Sequence, residues 1–151
     1  MSNTRSQPRS AARLAAVQAL YQKDMEGLGI ARLLREFHEH RLGEAIEEEP
    51  IAEAEPDFFD DVVTGVDARR DEIDILIGVR LADGWKLERL DKTMLQVLRC
   101  GTYELLARAD VPTGAIVNEY VDVAHAFFDE KDAKFVNGLL DAISKDVRKG
   151  E

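Results

Sequence analysis

Cysteine is almost absent from this chain. The single copy, Cys100, cannot form an internal disulfide, which excludes a small disulfide-stapled scaffold. It lies in Val97-Leu98-Arg99-Cys100-Gly101, inside a helical pattern, and reads as a small buried hydrophobe rather than a nucleophile. No run approaches the roughly 20 apolar residues that span a bilayer. Met1 to Ser10 is polar and basic with no apolar stretch behind it, unlike a secretory signal. Together these absences point to the cytoplasm. Catalytic signatures are missing too. His38 and His40 are two apart and leave a helix on different sides, so they are no metal pair. His125 has Asp122 three residues before it, the spacing of a surface ion pair. No phosphate-binding glycine loop and no nucleophile elbow occurs. Glu47-Glu48-Glu49 is the charge run of a solvated loop. Nothing selects an active site, a metal or a cofactor, so the chain reads as a protein that is not an enzyme.

What is present is a globular mix. With 151 residues the chain is long enough to bury one domain's core, and 45% hydrophobic against 33% charged residues suits a soluble fold. The net charge is −10, which taken whole repels a polyanion. Its distribution says more. Residues 1–23 carry Arg5, Arg9, Arg13 and Lys23 and no acid, for +4. Residues 24–91 carry −12 and residues 92–151 carry −2. A basic arm suited to a phosphate backbone thus precedes an acidic body suited to a basic partner.

Apolar residues recur with helical spacing almost throughout, and no run alternates with period two long enough for a strand. A first helix runs from about Pro8 or Ser10 to Met25 and stops at Gly27 and Gly29. A second spans roughly Ile30 to Leu42. Residues 44–55 are acidic, contain Pro50 and read as a loop. Pro56 opens a long helical stretch to about Ala82, with Gly65 as the place where it bends. Trp85, Leu87 and Leu90 form an apolar connector, expected to wedge between two halves of the molecule. Asp91 caps a helix reaching about Arg108. Two more follow, about Ala115 to Phe128 and from Asp132 to about Arg148. Six or seven helices with short connections make an all-α bundle.

Several blocks, in order, carry a family likeness. The opening Arg9-Ser10-Ala11-Ala12-Arg13 runs into Val17-Gln18-Ala19-Leu20-Tyr21. Trp85-Lys86-Leu87-Glu88-Arg89-Leu90 is followed by Leu98-Arg99-Cys100-Gly101-Thr102-Tyr103-Glu104-Leu105. Val111-Pro112 precedes Ile116-Val117-Asn118-Glu119-Tyr120-Val121. Lys134-Phe135-Val136-Asn137-Gly138-Leu139-Leu140-Asp141 closes the set. In this order and spacing the chain resembles the NusB family of transcription antitermination factors over most of residues 8–148. The resemblance implies a NusB-like all-α bundle of two three-helix subdomains, about 8–84 and 85–149, in one domain. It implies binding of boxA-type RNA at ribosomal RNA leaders, as a heterodimer with NusE, within an RNA polymerase antitermination complex.

That role gives particular residues work. Arg5, Arg9 and Arg13 are four apart and form one stripe in a helix. Guanidinium groups pair bidentately with phosphates, so this stripe is the expected RNA contact. Single-stranded RNA also needs faces to stack on and amides to read bases. Gln18, Tyr21, Phe135 and Asn137 offer those groups, and Lys134 offers a phosphate contact. Tyr21 and Phe135 also fit core stripes, and Asn118 and Asn137 also suit backbone contacts near helix ends. For the basic partner, Asp60, Asp67 and Asp71 in the stretch after Pro56 are the expected surface, with the 44–55 loop a weaker one. Two other classes stay open: a NusB-like module working with an rRNA methyltransferase, and a homodimer that binds no RNA.

Overall fold

The structure is a computed structural model that describes residues 6–40, 55–82 and 84–149. Among these there are seven α-helices and no strand. Helix α1 spans Ser6–Glu26 and α2 spans Ile30–His40. Gly27 ends α1 at φ 71°, in the left-handed region that glycine enters freely, and its N–H returns to the Lys23 carbonyl at 2.8 Å. Most of the acidic loop expected over residues 44–55 lies outside the described residues. Its last member, Glu55, donates its N–H to the Pro8 carbonyl and caps α3.

The stretch from Pro56 is two helices rather than one. Helix α3 is Pro56–Ala68 and α4 is Arg70–Arg80, with the break at Arg69 (φ −111°, ψ 23°). Gly65 does not bend the chain. It admits the ring of Tyr103, since a Cβ there would stand 2.2 Å from two ring carbons. A 3₁₀ turn, Leu87–Arg89, leads to α5, Lys92–Ala107. Asp91 caps α5 as expected, accepting from the Thr93 and Met94 N–H groups. Helices α6, Thr113–Phe127, and α7, Glu130–Val147, complete the chain.

Helix α5 is the axis of the fold. Every residue from Met94 to Leu105 is buried, because α1 and α3 pack on one side of it and α4, α6 and α7 on the others. At Gly101 a Cβ would come within 2.8 Å of Leu140, so the glycine lets α7 lie close. A single hydrophobic core runs through residues of all seven helices. The C-terminal carbonyls of α5 are closed by Arg148, whose guanidinium donates to the carbonyls of Glu104, Leu105, Arg108 and Val111 at 2.7–3.1 Å. Trp85 corrects the expected wedge. It is 56% exposed, whereas Leu90 is buried and Leu87 half-buried against α4. The 3₁₀ turn points the two leucines inward and leaves the indole, which precedes it, outside.

Candidate RNA and partner interface

A helix buried all round needs a partner for every polar side chain it carries. Glu104 on α5 is fully buried, and its partner is Arg13 on α1. The guanidinium binds the carboxylate bidentately at 2.8 and 3.0 Å, and the Tyr120 hydroxyl donates to the same carboxylate at 2.5 Å. Glu119 adds an ion pair to Arg13 at 3.3 Å and accepts from the Ser10 hydroxyl. Burial works against the Arg13 charge, but the hydrogen bonds and charge of Glu104 outweigh it and raise the pKa. Burial, followed by the Glu104 charge, pushes the Tyr120 phenol well up. Arg13 is only 4% exposed. The structure therefore corrects the reading of Arg13 as a phosphate contact: its guanidinium is turned to Glu104 on α5, away from solvent, whereas Arg9, one turn earlier, keeps 17% of its side chain exposed.

Arg9 sits at the edge of the same cluster. Its guanidinium lies 4.6 Å from the ring centre of Phe58, which is also flanked by Arg13 at 4.8 Å and Arg108 at 4.9 Å. The acids around Arg9 are loose partners, Glu55 at 3.6 Å and Asp110 at 3.7 Å. The Nε atoms of Arg9 and Arg108 are buried with no hydrogen-bond acceptor. Arg108 also pairs with Asp61 at 3.3 Å and Asp110 at 3.1 Å. Desolvation is the largest single influence on the Asp110 carboxyl and pushes it up, but the Arg108 charge, a hydrogen bond from its own backbone and one from Arg108 together win and hold it below the usual range. Arg5 lies outside the described residues.

Gln18 and Tyr21 stand three apart on the outer side of α1, and both are exposed, Tyr21 by 38%. Lys134, Phe135 and Asn137 are exposed on the first turns of α7, Phe135 again by 38%. Tyr21 and Phe135 are therefore surface rings rather than core residues. Among the described residues, no hydrogen bond, ion pair or ring contact joins the α1 pair to the α7 trio. Asn118 is exposed as well. His125 faces Glu130 at 3.9 Å, not Asp122.

The three acids expected to meet a partner separate. Asp60 on α3 pairs with His38 at 2.7 Å. Asp67 pairs with Lys23 at 3.1 Å, and Asp71 on α4 is exposed. Asp67 and Asp71 share one shallow concavity of about 700 Å³ at the α3–α4 corner, together with Glu72 and Asp74; Asp60 is not part of it.

These features sit on a chain whose comparisons agree. Residues 10–145 match the NusB family. The transcription antitermination protein NusB of Novosphingobium aromaticivorans is 65% identical over 148 residues, which is 98% of this chain and 100% of that protein. The chain belongs to the NusB family. The NusB protein of Sphingopyxis alaskensis is also 65% identical, over 97% of this chain and 99% of its own. A chain in a crystal structure of the antitermination factors NusB and NusE in complex with dsRNA superposes with a TM-score of 0.74 at 29% identity. That match covers 92% of this chain and 97% of the other. The NusB match takes in Arg13, Gln18, Tyr21, Lys134, Phe135 and Asn137, while Arg5 and Arg9 precede it.

Sequence reasoning missed Phe58, Glu104, Arg108, Asp110 and Tyr120 as members of the arginine cluster. One signal was available. Glu104 lies in a helix whose residues from Met94 to Leu105 are all buried, a buried acid demands a cation, and Arg13 is one that helical spacing puts on an inward face.

Among the described residues no group of three or more His, Cys, Asp or Glu side chains is placed to hold a metal. Cys100 is buried, and burial raises its thiol pKa, so it stays protonated. Among the described residues no helix is long and apolar enough to cross a membrane.

Proposed function

We propose that this chain is an RNA-binding transcription antitermination factor that binds boxA-type RNA together with NusE. The observation that carries the reading is end-to-end identity of 65% with an antitermination protein NusB. The solved NusB–NusE–dsRNA complex supports RNA and NusE as the partners. The chain acts by binding, with no catalytic step, in the cytoplasm beside RNA polymerase.

In this reading Tyr21 and Phe135 stack on unpaired bases, Gln18 and Asn137 read base edges, and Lys134 meets a phosphate. Arg9, with Arg5 before it, contributes phosphate contacts, while Arg13 fixes the helix that presents them. Asp71, exposed and without an ion pair among the described residues, faces NusE most directly, while Asp67 and Asp60 serve less directly because Lys23 and His38 already hold them. A net charge of −10 makes RNA binding by the chain alone weak, and a cationic partner offsets it. The test is a gel-shift with boxA-type RNA, with and without purified NusE. A specific shift that strengthens with NusE is expected. Equal retention of scrambled RNA in both settings refutes the reading.

A further inference from the structure

Helix α4 presents an apolar surface to solvent as well as to the core. Ile73 and Ile77 are fully buried on its inner face. Four residues apart on the opposite face, Ile75 is 66% and Val79 68% exposed, the two highest values among the exposed large hydrophobics of the described residues. The helix cannot roll to hide them. Arg70 on one flank reaches Asp24 of α1 at 3.4 Å, and Asp74 binds Arg99 of α5 bidentately at 2.8 and 2.9 Å. On the other flank Arg80 binds Asp146 of α7 bidentately at 2.8 and 2.6 Å. β-Branched residues are also mediocre helix formers, so Ile and Val at solvated helical positions gain the isolated chain nothing.

The stripe adjoins the acidic α3–α4 corner. The corner's arginines are already engaged within the chain, Arg69 by Glu72 and Arg70 by Asp24. Asp71, one turn before Ile75, is exposed with no ion pair among the described residues. The occupant is therefore cationic at one end and apolar at the other. RNA fails on both counts, since acids repel it and aliphatic side chains offer no stacking face. A second copy would bring two chains of −10 together.

We propose that the Ile75–Val79 stripe and the adjoining Asp67–Asp71 corner form one docking surface for a cationic protein partner. This rests on the reading that NusE joins the chain, and it assigns the two parts different work. The acids steer encounter, which sets the association rate. The aliphatic pair sits in the desolvated centre, which sets the dissociation rate.

Surface-captured chain and purified NusE separate these roles by binding kinetics at two salt concentrations. Ile75→Ser with Val79→Ser is expected to raise the dissociation rate about tenfold or more while the association rate changes little. Asp67→Lys with Asp71→Lys is expected to slow association several-fold at low salt, with the difference fading at high salt. Asp71, Ile75 and Val79 are exposed, while Asp67 is half-buried and paired with Lys23 at 3.1 Å, so Asp71→Lys alone is measured beside the double variant, and circular dichroism checks that each variant keeps its helices. Wild-type kinetics in the serine variant overturns the stripe as the interface while leaving the NusE reading intact. No NusE binding by the wild-type chain overturns that reading and this proposal with it. A dimer of the chain alone, in sedimentation, that the serine variant dissociates assigns the stripe to self-association instead and overturns the cationic partner.

Discussion

Arg13 and Glu104 stand 91 residues apart in the chain and form a bidentate ion pair that is 4% and 0% exposed. The pair joins α1 to the central helix, and Tyr120 extends it to α6. Removing one member of a buried pair strands the other charge without water. Arg13→Ala should therefore destabilise the fold by about 3–5 kcal/mol, read from the midpoint of a urea transition. Arg13→Lys should recover only part of this, because an ammonium cannot reproduce the planar fork. The salt dependence of RNA binding should be that of wild type wherever the variant is folded. A stable Arg13→Ala protein with a flattened salt slope would return Arg13 to the RNA surface.

Arg9 differs because its acids hold it loosely. Removing one phosphate contact lowers the slope of log affinity against log salt by about one unit. Arg9→Ala should show that change with little effect on stability. Asp110 lies within ion-pair distance of both Arg9 and Arg108, so it competes with a phosphate for the same guanidinium. Asp110→Asn should tighten RNA binding a few-fold at low salt, an advantage that added salt removes. Filter binding across a salt series measures both. Weaker binding by the Asn variant would mean that Asp110 positions Arg9 rather than occupying it.

The helices were legible because their stripes, breaks and caps are local signals. Asp91, Gly27 and Pro112 mark boundaries that short-range physics sets. The helix break at Arg69 was not legible, since Gly65 is the conspicuous breaker nearby and its actual role is to admit Tyr103 from α5. The surface rings Tyr21 and Phe135 could be named from the family pattern, but their exposure depends on packing. Arg13 shows the limit most clearly. An arginine on a basic arm looks the same in sequence whether it meets a phosphate or a buried carboxylate, and the deciding residue lies in another helix.

Trp85 offers a second check on packing. A large aromatic in an apolar connector looks like core, yet the indole is 56% exposed and Leu90 carries the burial. Trp85→Ala should shift stability by no more than about 0.5 kcal/mol, as at other surface sites. Leu90→Ala should cost about 2–5 kcal/mol. Thermal melts of the two variants decide it, and the opposite ranking would put the indole in the interior.

The alkaline limb of the stability curve follows from two tyrosines. Burial, and then the hydrogen bond to and charge of Asp61, push the Tyr103 phenol from 10 up to about 12, against the pull of Arg108 and Arg69. The Tyr120 phenol is also raised, by burial and then by the Glu104 charge. In the unfolded chain both release their protons near pH 10, while the folded chain keeps them. The unfolded state then binds fewer protons, so stability falls as pH rises. The loss is absent well below pH 10 and grows between 10 and 12, by at most about 1.4 kcal/mol per pH unit for each phenol. Above about 12 the Tyr103 contribution levels off. Tyr103→Phe removes one ionising group, so its urea midpoint should fall less steeply than wild type between pH 10 and 12. It should also begin from a lower value near neutrality, because Asp61 loses a hydrogen bond made at 2.8 Å. Difference absorbance of tyrosinate in the folded protein should show the corresponding late phase, missing in Tyr103→Phe. Parallel stability curves for the two proteins would mean that Tyr103 ionises freely in the folded state, and that the Asp61 contact is too weak to tie α3 to α5.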